Sequence, residues 1–124
     1  MRINSDEIKS LVFQTEDGSF SSAVKIIHLT TSKEFSCDEF KTQIENRHTA
    51  VCNLILDLCT DLEGVPVPDH VPFDQIKTIH PNTETEGNIR AILWNSEEQE
   101  WHYYIEVSGK QIAKRYLKTD LVAV

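Results

Sequence analysis

Near the middle of the chain, Glu63-Gly64-Val65-Pro66-Val67-Pro68 rules out any regular element running through. The glycine suits a helix C′ position, and neither proline can continue a helix. The elements must therefore divide between a stretch ending near residue 64 and one beginning near 69. The two stretches carry different patterns, which predict two lobes, 1–64 and 69–124, with one shared core as the alternative.

In the first stretch the strongest signal is helical. Ser36-Cys37-Asp38-Glu39 has the spacing of a capping box, in which the serine accepts from a backbone N–H and Glu39 reaches back. Behind it Phe40, Ile44, Val51, Ile55, Leu58 and Leu62 fall on one stripe at helical spacing, widened by Leu54. Asp61-Leu62-Glu63-Gly64 closes the pattern, so one helix over 37–62 is expected. A break at Asn46-Arg47-His48-Thr49 is the competing reading. It gives two shorter helices similar to the core of a winged helix-turn-helix, with Phe35-Ser36-x2-Glu39-Phe40 before Thr49-Ala50-Val51. The usual small residue in the turn is missing, and the stripe passes 47–48 without changing phase.

Upstream, residues 10–30 read as a β-hairpin. Leu11-Val12-Phe13 is an apolar run, Glu16-Asp17-Gly18-Ser19 holds an Asp-Gly turn, and Phe20 to Leu29 is rich in β-branched residues. A short helix over Ala23–His28, opened by Ser21 or Ser22, is the alternative.

The second stretch reads as four or five short strands. Val71 to Lys77 leads into Gly87 to Trp94; a polar turn, Asn95 to Glu100, precedes Trp101 to Val107. The tight turn Ser108-Gly109-Lys110 follows, then a strand from Gln111 to Tyr116 and a last one at Leu121 to Val124. Gly87-x-Ile89, Trp94, Trp101-x-Tyr103, Gly109-Lys110, Arg115-Tyr116 and Asp120-Leu121 give this region a pattern of strand lengths that resembles the small SH3-like barrels of the Tudor and KOW type. The resemblance covers under half of the chain and implies a small antiparallel barrel or curled sheet. The fold class is thus α+β: an amino-terminal β-hairpin and one long amphipathic helix, then that sheet.

Alternation tests which way the 88–107 hairpin faces, because opposed side chains share a face. Pairing Arg90 with Glu106 sets Ile92 against Tyr104 and Trp94 against His102. One face then holds Ile89, Ala91, Leu93, Tyr103, Ile105 and Val107, with Trp101 nearby. A shift of one residue would bury Arg90 among them, at a cost of several kcal/mol for an unpaired guanidinium. The preferred register leaves Arg90, Trp94, His102 and Tyr104 on the outer face. Trp, Tyr and Arg are the types that anchor interfaces. The plainer alternative is that the amino-terminal helix covers this face and makes it ordinary core.

Composition narrows the function classes. With 40% hydrophobic and 26% charged residues the chain is that of a globular protein. At 124 residues it can bury roughly two-thirds of its unfolded surface without staples. Val51 to Leu58, among the longest apolar runs, falls far short of the ~20 residues that span a bilayer. The first seven residues are polar and acidic, unlike a signal peptide, and there is no glycosylation sequon. Three cysteines, Cys37, Cys52 and Cys59, point to reduced thiols and a cytoplasmic location. The net charge of −8 is shared by both halves, with 6 basic and 11 acidic residues in 1–64 and 6 and 9 in 65–124. Neither half offers a global positive field for phosphate. Solubility is the simple reading of the acidity, and steering toward a basic partner the sharper one.

Chemistry-bearing motifs are sparse. The chain has no glycine-rich phosphate loop, G-x-S-x-G, H-E-x-x-H or paired C-x2-C. Cys52 and Cys59 share a helical face and read as packing residues. His70 and His80 flank a proline-bounded segment and read as surface histidines, not metal ligands. Cys37 in a first helical turn would have a favourable dipole but no nameable base. Lys110, Lys114, Arg115 and Lys118 beside Tyr116 form the basic patch of note, fit for an acidic peptide or phosphates, or simply a solvated strand edge.

These features predict a small acidic binding or regulatory module acting by protein–protein contact, with Arg90, Trp94, His102, Tyr104 and Arg115 as its contact residues. Inhibitors, immunity proteins and antitoxins are of this kind. No enzyme activity, catalytic residue, cofactor or metal is called for, and no membrane; a homo-oligomer is compatible. Nucleic-acid binding, through the helix-turn-helix or the barrel, is the second class. An enzyme or small-molecule binder is the third.

Overall fold

The computed structural model describes residues 1–60, 62, 64–79 and 85–124. In chain order the elements are strand β1 (Arg2–Asn4), a 3₁₀ turn (Ser5–Glu7), strands β2 (Ile8–Gln14), β3 (Phe20–His28) and β4 (Glu34–Cys37), and helix α1 (Gln43–Thr60). Strands β5 (Gln75–Thr78), β6 (Glu86–Asn95), β7 (Glu100–Val107) and β8 (Lys110–Gln111) follow, then a second 3₁₀ turn (Lys118–Asp120) and β9 (Leu121–Ala123). The class is α+β. Two compact units divide the elements: Asp6–Val67, and Met1–Ser5 together with Pro68–Val124. The first five residues thus join the sheet at the other end of the sequence.

In the unit 6–67, β2 and β3 form the expected antiparallel hairpin around Asp17-Gly18, with a bulge between Val12 and Gln14. Residues 23–28 are strand, not the alternative short helix. Asp17 holds the turn by accepting from the Ser19 and Thr15 hydroxyls and the Ser19 N–H. Those bonds, Ser19's hydroxyl first, lower its carboxyl to about 2.

Ser36 and Cys37 were expected to cap and open the helix, but Glu34–Cys37 is a third strand on β3, with Phe35 opposite Ile26 and Cys37 opposite Val24. The helix starts instead behind Thr42. Its carbonyl accepts the first helical bond from the Asn46 N–H at 3.2 Å, and its hydroxyl accepts from the Glu45 N–H at 3.2 Å. The hydroxyl donates in turn to the Glu45 carboxylate at 2.9 Å. Two copies of the spacing S/T-x-x-E lie side by side here, at 36–39 and 42–45. Pairing of Phe35 and Cys37 against β3 commits the first copy to the sheet, leaving the second to cap.

Helix α1 runs unbroken through Arg47-His48-Thr49, so the helix-turn-helix reading does not hold. It packs on β3 and β4 through Asn46, Ala50, Val51, Leu54, Ile55 and Cys59, against Val24, Ile26 and Cys37. Phe40, Ile44 and Leu62, expected on the buried stripe, are 40%, 64% and 40% exposed. The later start removes Phe40 from the helix, and the true buried face begins with a polar residue.

That residue is Asn46, fully buried. Its amide donates to the Ser22 carbonyl at 2.7 Å and the Phe40 carbonyl at 3.1 Å. Its oxygen accepts from the Phe40 N–H at 3.0 Å and the Cys37 thiol at 3.3 Å. All four of the amide's bonding positions are filled, so its burial carries no unpaired polar atom. Cys37 is therefore a buried strand-end thiol, not a first-turn helical one. None of the three cysteines forms a disulfide; Cys52 is half-buried and Cys59 buried. Asp61 and Glu63, called as part of the helix closure, lie outside the described residues.

The other unit is one antiparallel sheet in the order β8-β7-β6-β5-β9, with β1 also on β6. Four strands, β5 to β8, meander and β9 returns beside β5, an antiparallel sheet of the α+β class. The long strand β6 pairs with β5 through its first half (Gln75↔Asn88) and with β1 through its second (Ile3↔Ile92). Gly87 permits the close approach of β7: a Cβ there would lie 2.4 Å from the Glu106 carbonyl oxygen. Ser108 (φ 53°) and Gly109 (φ 80°) form the two-residue turn to β8, both in the left-handed region that type I′ turns require.

The strand expected from Gln111 to Tyr116 is only two residues long. Ile112 still donates to Ile105, and Tyr116 re-pairs with Tyr103. Ala113, Lys114 and Arg115 leave the ladder between them and are exposed.

Candidate interaction face of the carboxy-terminal sheet

The β6–β7 register decides which side chains share a surface, and it differs from the expected one. Ile89 opposes Ile105, then Ala91 opposes Tyr104, Ile92 Tyr103, Leu93 His102 and Trp94 Trp101. An extra residue, Arg90, is inserted between the two registers as a bulge. Strict alternation therefore fails at Arg90, and everything beyond it on β6 changes face relative to a regular strand.

The core face carries Ile3, Ile76, Ile89, Ile92, Trp101, Tyr103, Ile105 and Leu121, all buried. Ile92 belongs here, not on the outer face. So does Trp94, half-buried, whose ring meets Trp101 edge-on at 5.5 Å. Tyr103, the largest fully buried side chain, takes the Asp69 N–H on its hydroxyl at 3.0 Å and packs edge-on against His70 at 5.3 Å. Burial pushes the Tyr103 hydroxyl up to about 12, although backbone bonds from Asp69 and His70 oppose it. Burial likewise lowers His70, against the raising influence of Asp74 and Asp69. His70 is thus a packed neighbour of Tyr103; His80, its proposed counterpart, lies outside the described residues.

The opposite face carries Arg2, Asn4, Asn88, Arg90, Leu93, His102, Tyr104 and Glu106. Here the structure does bring together three of the expected residues. Arg90 Nη1 lies 3.0 Å from Glu106 Oε2, the ion pair foreseen, reached across the bulge and not by direct opposition. Tyr104 is half-exposed, with the Arg2 guanidinium 5.5 Å over its ring. His102 is only 2% exposed, and its Nε2 lies 2.9 Å from Glu98 Oε2. Arg115 stands apart in the 113–115 excursion, its guanidinium 4.0 Å from the other Glu98 oxygen. Lys114 lies over the Tyr116 ring at 5.1 Å.

Arg2 and Glu98 were not foreseen. Arg2 reaches Tyr104 only because β1 pairs with β6 across some ninety residues of chain, for which the local sequence carries no mark. Glu98 is held by the 96–99 turn, where Asn95 Oδ1 accepts from the Glu97 and Glu98 N–H groups at 3.0 Å each. Gln99 adopts φ 55°, turning the chain into β7. The Asn95-Ser96 pair was a visible turn signal, but its aim was not. A small cleft of about 230 Å³ lies at the strand ends, lined by Gln75, Glu86, Asn88, Glu106 and Val124 among others. It is below the usual size of a small-molecule site.

The class so defined is a two-unit α+β protein whose carboxy-terminal sheet presents an amphipathic outer face. Residues 63–122 match a family model described as a family of unknown function (DUF6960). The match begins at the glycine-proline break and takes in β5 to β8 and the start of β9. No curated protein and no solved structure matches the chain. No helix among the described residues is long and apolar enough to cross a membrane.

Proposed function

We propose that the protein is a cytoplasmic binding module acting by protein–protein contact, through the face of β1, β6 and β7 that presents Arg2, Arg90, Leu93 and Tyr104. The observation that carries this reading is the pairing of half-exposed Tyr104 with the exposed Arg2 guanidinium 5.5 Å over its ring. Both are anchor types, already held in place and flanked by apolar Leu93, so little side-chain freedom is lost on binding. The flanking Arg90–Glu106 pair adds a charged rim. Small size and a net charge of −8 favour a sequestering or inhibitory role toward a partner with basic surface around an acidic contact for Arg2.

The test is affinity capture from the native host followed by calorimetry with the purified partner. Arg2→Glu and Tyr104→Ala should each weaken binding at least tenfold with an unchanged circular dichroism spectrum. Trp94→Ala should instead lower stability through its contact with Trp101 and spare affinity. Full binding by both Arg2→Glu and Tyr104→Ala would place the interface elsewhere.

A further inference from the structure

We propose that Glu98, Glu100 and His102 form a binding site for one divalent first-row transition ion. The ligating atoms of the three side chains lie within 4.8 Å of one another. They come from two elements: Glu98 from the 96–99 turn, Glu100 and His102 from β7, two residues apart and so on one face. The imidazole sets this group apart from an ordinary exposed acidic cluster. It is 2% exposed, its Nε2 is aimed into the group, and Glu98 is its hydrogen-bond partner among the described residues.

The spacing suits an ion. Two donors each about 2.1 Å from a metal and at right angles lie about 3.0 Å apart. His102 Nε2 and Glu98 Oε2 are 2.9 Å apart. The Glu100 carboxylate closes the remaining gap by side-chain rotation, being exposed and without a hydrogen bond or ion pair among the described residues. Without a cation, two carboxylates converge here with Arg115, 4.0 Å from Glu98, as the nearby positive charge. A dication relieves that repulsion directly.

The donor set selects the class. An imidazole nitrogen with two carboxylates suits Zn²⁺, Mn²⁺, Co²⁺ or Ni²⁺, whereas Ca²⁺ and Mg²⁺ prefer all-oxygen cages. Three protein donors leave positions open toward solvent. This site is independent of the Arg2–Tyr104 contact.

Protein stripped with chelator and titrated with CoCl₂ and ZnCl₂ provides the test. Saturable one-to-one binding is expected, with visible d–d absorption for Co²⁺ and a raised melting temperature for Zn²⁺, neither given by MgCl₂ or CaCl₂. The double variant Glu98→Gln/Glu100→Gln alters only exposed carboxylates and should keep its fold by circular dichroism while losing at least tenfold in affinity. Arg115→Ala should tighten binding. Absence of one-to-one binding by the wild type overturns the proposal. So does wild-type affinity in the double variant, or binding abolished by His48→Ala/Cys52→Ala, which would move the ion to that pair, 3.4 Å apart on α1.

Discussion

Asn46 illustrates how one polar side chain can organise a unit of sixty residues. Its amide joins α1 to β3 through Ser22 and to the 38–42 loop through Phe40, while Cys37 contributes a thiol donor. Replacing it with leucine, nearly isosteric, would leave the Phe40 N–H and two carbonyls without partners. Each orphaned group costs about 1–3 kcal/mol where it stays dry. With three groups orphaned, Asn46→Leu should therefore lose about 3 kcal/mol or more, read as a lowered urea midpoint with unchanged slope; a loss under about half a kcal/mol would show that water replaces the network. Hydrophobic periodicity has no means of finding such a residue, because it scores asparagine as surface. The residue types of the candidate face, by contrast, were legible: Arg90, His102 and Tyr104 do share one surface. Trp94 was misplaced because the bulged residue is itself Arg90, and a bulge leaves no local signature in a strand of otherwise good β formers.

Among elements, the start of α1 separates two sequence-equivalent caps. Ser36 and Thr42 each precede a glutamate by three, and local propensity ranks serine at least as high. The structure makes Thr42 the cap and puts Ser36 on β4, opposite Lys25. Thr42→Ala should cost about 1 kcal/mol and reduce helical ellipticity, while Ser36→Ala should leave both nearly unchanged; the reverse ranking by thermal unfolding would restore the earlier start. The β2–β3 hairpin was legible from Asp17-Gly18, since left-handed turn geometry demands such residues. The shortness of β8 was not, because Ala113-Lys114-Arg115 could continue a strand as well as leave one. What ends the ladder is Tyr116 re-pairing with Tyr103.

For the whole molecule, charge argues against nucleic acid. A net charge of −8 repels a polyanion, and the basic residues 110–118 form one small patch. The protein should show no retention on duplex DNA or single-stranded RNA at 0.15 M salt; retention abolished by Lys114→Glu/Arg115→Glu would reopen that reading. The sequence by itself determined the class of each half, because the Gly-Pro break, the 3.6-residue apolar stripe and the alternating aromatic strands are local properties of the chain. It also determined which residue types were available to a contact face. Only the tertiary structure decided that residues 1–5 complete the distant sheet, that the helix begins at 43, and that the bulge at Arg90 sends Trp94 inward and leaves Tyr104 under Arg2. Those outcomes depend on pairings between residues far apart in sequence, whose energies are settled by which surfaces meet and not by the residues that flank them.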